Sequence, residues 1–376
     1  MTVRRQLLSF AWKKRRVFAL GAGALDSFES MVRRAVGKPV RALMVSDGSI
    51  GEEREQYLER CLIDVGFSVE HCALEALATP ATFEDIAHLT DAIGRAHITA
   101  DDLVCAVGGM RTCSAAAFAA RLWQGGTPCA LVPVTLAAMA LCPTSMQPLA
   151  TVATSGMVSM RCEPSLVVCD LDLVRDAADD AVSEGLVEVV AAAMADSKRS
   201  WDRLGTQLEA LASHDELALT DALCMVQTAR RSVMMAANPS ARHALSYGHI
   251  TAGALRACLG DAIPAWQLLA EGMRFEARLA VDACEFSVDD VFEQDDRLDD
   301  LGIPELPFEL ESWLALSRRS ALSRRCVQTA CSLRCRAHRV PFALPGWKTM
   351  CSNAMRRPTP HRAQTCFHRK VYSCVC

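Results

Sequence analysis

From Val17 onward the chain alternates short apolar runs with stretches of helical spacing. RALMVSD (41–47) is an apolar run ending in an acid and predicts a strand. EEREQYLERCLIDVG follows with helical spacing and a closing glycine. In FEDIAHLTDAIGRA (83–96), Phe83, Ile86, Leu89 and Ile93 fall on one face of a second helix. DDLVCAVGG (101–109) predicts a buried strand running into glycines, and AAAFAARLW after it reads as a helix. CALVPVT (129–135) and SLVVCD (165–170) are two further strands. Strands alternating with helices in this way predict βαβ units and a parallel sheet.

After Asp170 the strand signals stop. Residues 178–236, 249–284 and 309–324 are rich in Ala, Leu, Met and Glu and predict helices, with Met234 and Met235 read as helix core. The pattern is therefore an α/β half followed by an all-helical half, in keeping with 376 residues as two domains. From about Cys351 the chain is basic, Pro-broken and without amphipathic period, which predicts a poorly ordered tail over 351–376. Residues 1–16 form a basic lead-in whose apolar patch, Leu7 to Trp12, is too short for a signal-peptide core or a membrane span. The expected setting is the cytoplasm.

Composition adds little that changes this picture. Hydrophobic residues make up 51% and charged residues 22%, a globular balance. A net charge of −4 with a pI near 6.2 offers no general attraction to nucleic acid. Eighteen cysteines is a high count. Many, such as Cys105, Cys129 and Cys169, lie inside apolar strands, where cysteine acts as a small hydrophobe, so reduced core thiols are expected. His361, Cys366, His368, Cys374 and Cys376 crowd the tail but match no standard zinc spacing.

Gly108 and Gly109 stand between a strand and a helix, where glycines let phosphate oxygens reach backbone N–H groups; a plain turn explains them equally. A third glycine in G-x-G-x-x-G spacing is missing. Asp47, ending an earlier strand, can accept a ribose hydroxyl or cap the helix that follows.

Several segments, in order, resemble 3-dehydroquinate synthase. VFALGAGALDSF resembles its opening strand and turn, RALMVSDGSI its second strand, and DDLVCAVGGMRTCSAAAFAA its glycine-rich NAD loop with the helix behind it. QGGTPCALVPVTLAAM is similar to the segment ending in Pro-Thr-Thr-Leu-Leu-Ala, and SLVVCDLDLV with EGLVEVV to the strand and helix that supply a metal-binding Glu. ALSYGHITAGAL is similar to the Leu-Asn-x-Gly-His segment, and RVPFALP to a C-terminal strand. The resemblance spans roughly residues 17 to 350. It implies a Rossmann-like NAD-binding α/β domain (17–173), a helical metal- and substrate-binding domain (174–350) and a homodimer. The implied reaction cyclises a seven-carbon sugar phosphate with NAD and a divalent metal, zinc or cobalt. No nucleic-acid or membrane partner is implied.

Carried over position by position, the resemblance makes Glu188 and His249 metal ligands, Arg242 a substrate-binding residue, and Asp47, Gly108, Gly109 and Thr135 NAD contacts. The departures are many. Ala265 stands where a second metal His belongs, although His243 or Glu271 could substitute. Gly253 replaces a further His and Leu141 an Asp. Neutral residues stand at lysine positions: Gln147, Ser155 and Ala191. Ser114 replaces the acid of the glycine-rich loop and Gln124 an arginine, while Arg231 and Arg334 can stand in for two lysines. These substitutions predict a synthase-like protein with weak or no turnover. The alternative is a non-catalytic relative acting as a nucleotide-binding or regulatory partner.

Overall fold

The computed structural model describes residues 17–306, apart from 37–39, 78, 145, 152–154, 176, 237–238, 261–262 and 285. The lead-in, the helix at 309–324, Arg334, the RVPFALP strand and the tail lie outside the described residues.

The strands are β1 (Val17–Gly21), β2 (Arg41–Ser46), β3 (Ser68–Ala73), β4 (Leu103–Gly108), β5 (Cys129–Pro133), β6 (Met146–Ala150), β7 (Ser155–Arg161) and β8 (Leu166–Asp170). Six of them form one parallel sheet in the order β1-β8-β5-β4-β2-β3, and β6 pairs with β7 as an antiparallel hairpin. Helices α1 (Phe28–Ala35), α2 (Glu52–Val65), α3 (Phe83–Arg95), α4 (Met110–Leu122) and α5 (Leu136–Leu141) separate the strands. After β8 come α6 (Asp172–Arg175), α7 (Asp179–Asp196), α8 (Lys198–Gly205), α9 (Leu208–Ala212), α10 (Glu216–Met234), α11 (His249–Leu259), α12 (Ala265–Cys284) and α13 (Val288–Asp300). No described strand follows Asp170.

The central strands are apolar along their middles because both faces of the sheet are covered. Ala42, Met44, Leu103, Cys105, Val107 and Val132 pack with Phe28 and Val32 of α1 and Leu58 and Leu62 of α2. Leu43, Val45, Val104, Ala106 and Leu131 point the other way, to α3 and α4. That second layer continues without a break into Leu136 and Met139 of α5, Val187 and Val190 of α7, Val226 of α10 and Met273 of α12. Cys105, Cys129 and Cys169 are buried and unbridged, and burial pushes the Cys105 thiol up to about 12.

Three strands, β3, β6 and β7, escaped the periodicity. In β3 only Cys72 is buried, so this edge strand carries a polar sequence, SVEHCA. In β6 a proline, Pro148, sits in a two-stranded hairpin, the kind of edge position where its missing N–H is tolerated. The acidic helix α13 was also missed. Met235 corrects a reading: α10 ends at Met234, and Met235 is 62% exposed rather than core.

Helices α11 and α12 meet through glycines. A Cβ on Gly272 would lie 2.1 Å from the Gly248 carbonyl oxygen and 3.0 Å from the Ala252 nitrogen. Gly248 itself has φ +77 at the N-cap of α11, a left-handed conformation open to glycine. Gly272→Ala is therefore expected to cost about 1–3 kcal/mol by forcing the two helices apart. Denaturant unfolding checks this; a variant as stable as the wild type would show that the contact relaxes freely.

Candidate functional site

The sheet order places a topological switch between β2 and β4. The chain leaves β2 for the edge strand β3 and then returns to the other side of β2 as β4. Ligands of open α/β sheets bind in the crevice at the carboxyl ends of the strands at such a point. Asp47 and the Gly108–Gly109 turn stand there, on the two flanking strands. One carboxylate oxygen of Asp47, Oδ2, accepts the Gly109 N–H at 2.9 Å and the Thr112 hydroxyl at 2.7 Å. The other accepts the Ser49 N–H at 3.1 Å and the Ser49 hydroxyl. A Cβ on Gly108 would collide with this carboxylate at 2.2 Å. The N-terminus of α4 thus holds an anionic oxygen, as the helix dipole and free N–H groups favour. Thr135 follows β5, and its hydroxyl accepts the Ala138 N–H at 3.2 Å, capping α5.

A second cluster lies among the helices. Helix α7 is buried from Leu186 to Ala193 on every face, so an acid in the middle of it must be buried too. Glu188 is that acid, 4% exposed. Its Oε1 lies 3.2 Å from Nε2 of His249, the first residue of α11, whose side chain is 40% exposed at the rim. Its Oε2 is buried without a hydrogen-bond partner. Arg230 of α10, 8% exposed, lines the same cleft with Ala191, Ala192 and Tyr247. Burial raises the Glu188 carboxyl, but His249 and then Arg230 outweigh it and hold it below its ordinary value. Burial likewise opposes a charged His249, yet Glu188 holds the imidazole above its ordinary value. Protonation of His249 makes the pair a salt bridge. Burial pushes the Arg230 guanidinium down, with Glu188 acting against that shift.

The divalent metal implied by the resemblance does not fit these side chains. A catalytic zinc takes about three protein ligands plus water. Here one carboxylate and one imidazole face each other, and a buried guanidinium shares their cleft. Among the described residues no group of three or more His, Cys, Asp or Glu side chains is placed to hold a metal ion. Ala265, the first residue of α12, offers no donor. Glu271 is committed elsewhere: it accepts from Arg274 at 2.9 Å and from the Leu306 N–H at 3.0 Å, inside the buried network that ties α12 to α13. His243 and Arg242 are exposed on the 3-10 segment Pro239–Ser246, and Arg231 is exposed on α10.

Other departures are internally satisfied. Ser114, at the acid position, donates to Gln147 Oε1 at 2.6 Å, and Gln147, at a lysine position, donates to the Cys142 carbonyl at 3.1 Å. Both are buried, so this is a neutral pair closed within the core. Leu141 and Ala191 are buried as well.

Arg230 and Glu276 were missed by sequence reasoning, yet a signal was available for each. Arg230 continues the apolar stripe Leu219, Leu223, Val226 of α10, and Glu276 the stripe Leu269, Met273 of α12. A charge in core register marks a group that the interior must satisfy.

Comparison with known proteins agrees with the architecture. No family model matches the chain. The 3-dehydroquinate synthase of Caulobacter vibrioides is 26% identical over 279 residues, 70% of this chain and 73% of that protein. That of Laribacter hongkongensis is 25% identical over 311 residues, 79% and 83% of the two chains. Among solved structures, 2-epi-5-epi-valiolone synthase from Streptomyces hygroscopicus subsp. jinggangensis, with NAD+ and Zn2+ bound, has a TM-score of 0.70 at 15% identity and is matched over 85% of this chain and 90% of its own. A 2-deoxy-scyllo-inosose synthase has a TM-score of 0.67 at 19% identity, over 80% of this chain and 86% of its own. The fold is that of the sugar phosphate cyclases. In sequence the chain is similar to the 3-dehydroquinate synthases over most of its length.

Glu276 caps the first turn of α11, accepting the Gly248 N–H at 2.9 Å, the Thr251 N–H at 3.3 Å and the Thr251 hydroxyl at 2.9 Å. Burial dominates these bonds and raises its carboxyl to about 7. A folded value raised above the unfolded one means that the native state holds the proton more tightly. The contribution of Glu276 is then full below about pH 4.5 and is lost as the pH rises through about 7. Unfolding of wild type and Glu276→Gln at pH 5 and pH 8 should show the wild type losing this increment and the variant not. Parallel pH profiles would refute it.

Proposed function

We propose that this chain is a dinucleotide-binding, 3-dehydroquinate synthase-like protein that has lost the metal-assisted steps of the family's cyclisation. It turns over the seven-carbon sugar phosphate at a severely reduced rate or not at all. The observation that carries the nucleotide part is the anionic oxygen of Asp47 held by Gly109 and Thr112 at the β2/β4 switch point. A site that already stabilises a carboxylate oxygen suits a phosphate oxygen for the same electrostatic reason.

In this reading residues 17–173 are the NAD half and 174–350 the substrate half. Asp47, Gly108, Gly109, Thr112 and Thr135 would hold NAD, which when bound takes up and returns a hydride. Asp47 is suited to a ribose hydroxyl, and the two donors it now engages are suited to the pyrophosphate. Among the described residues carried over by the resemblance, Arg242 and Arg231 are exposed cations that can meet a phosphate or carboxylate. Leu141 and Ala191, buried and apolar, can neither move a proton nor bind an anion. Losing several charge-assisted contacts of about 1.5–3 kcal/mol each removes most of the binding energy that catalysis would draw on. A nucleotide-binding protein without turnover is the limiting case. The relatives' pathway, a homodimer and a cytoplasmic setting accompany the reading by resemblance alone.

Titration calorimetry should detect NAD binding to the wild type, weakened about tenfold to hundredfold in Asp47→Ala, the loss of a hydrogen bond to a charged group. Phosphate release from the seven-carbon substrate, with NAD and added zinc or cobalt, should stay at background. Absence of NAD binding would overturn the first half. Turnover of about one per second, ordinary for an enzyme, and abolished by Glu188→Ala, would overturn the second.

A further inference from the structure

Glu188 poses an electrostatic problem that its neighbours must solve. A carboxylate in the middle of a helix packed on every face is costly unless an opposite charge accompanies it. His249 reaches only Oε1, from the rim, and Oε2 stays buried without a hydrogen-bond partner. The rest of the cleft wall is mostly apolar, largely alanine. Arg230 is the exception. It sits at a core position of α10, in line with Leu219, Leu223 and Val226, and is 8% exposed in the same cleft. A long cationic side chain normally snorkels outward; this one is turned in.

We propose that the buried guanidinium of Arg230 supplies, from within the chain, the positive charge that a divalent cation would otherwise bring to Glu188 and His249. The assignment rests on the reading that the metal-assisted steps are lost, and adds the residue responsible. A metal ion entering between Glu188 and His249 would meet a fixed like charge in a low-dielectric cleft. It would also have to part the two side chains, whose Glu188 Oε1 and His249 Nε2 lie 3.2 Å apart. The cleft is thereby turned from a site that imports a cation into one that carries its own.

The test combines a charge cycle with a metal titration on the full chain. Arg230→Met removes the charge and keeps the length, and is expected to lower the melting temperature by about 6–10 °C, because a buried carboxylate then loses the cation that shares its cleft. Arg230→Lys keeps the charge and should retain most of the stability. The double variant Glu188→Gln/Arg230→Met should recover most of what Arg230→Met loses, because neither charge is then left alone. If Arg230→Met does not fold, recovery of folded protein in the double variant carries the same information. Cobalt(II) added to the wild type should give neither visible d–d absorption nor a shift in melting temperature. A wild type that binds one cobalt per chain, lost on His249→Ala, would overturn both this proposal and the functional reading. A wild type blind to cobalt, with no recovery in the double variant or no rescue by lysine, would overturn the role of Arg230 alone.

Discussion

One buried charge organises the helical half of this protein. Helix α7 has no solvent face along its central turns, so Glu188 must be compensated from inside. His249 can reach it only because α11 begins there. That start depends on Gly248 at φ +77, on Glu276 accepting the donors of the first turn, and on Gly272 leaving room for the Gly248 carbonyl. Each of these residues is unremarkable alone. Together they place one imidazole against one carboxylate.

The same constraint links the two halves. The core behind α3 and α4 runs unbroken into α5, α7, α10 and α12. At Gly185, one turn before Glu188, a Cβ would lie 2.3 Å from Leu136 of α5. Helix α5 is itself capped by Thr135, which follows β5 at the carboxyl edge of the sheet. Gln227 of α10 closes the arrangement by donating to the Met139 and Ala140 carbonyls at 2.9 and 3.0 Å. The strand ends at the switch point and the helix carrying Glu188 are therefore held by close-packed contacts, which fix their spacing to within the small freedom of a dense interior.

The departures from the family's pattern have a common physical form. Where the resemblance places an acid and a lysine, Ser114 and Gln147 hydrogen-bond each other in the core. Where it places a metal, an imidazole and a guanidinium share the cleft with the carboxylate. Lone removal of the acid or of the lysine would have left its partner buried and unsatisfied, and the Ser114–Gln147 bond avoids that. A fold can be kept while site residues differ, because packing and site chemistry reside in different residues.

The sequence by itself determined the parallel α/β half, since strands buried on both faces must read as continuous apolar runs and their helices as amphipathic ones. It also placed the glycines and Asp47 at strand ends and identified Glu188 and His249 as a pair by resemblance. It could not register β3, whose edge position permits a polar sequence, or the hairpin with Pro148. Nor could it show that Asp47 takes donors from a helix 62 residues on, or that Arg230 and Glu188 share one cleft. Those facts depend on which segments the fold brings together. A one-dimensional pattern records the face a side chain occupies, and only the packed structure decides what stands opposite it.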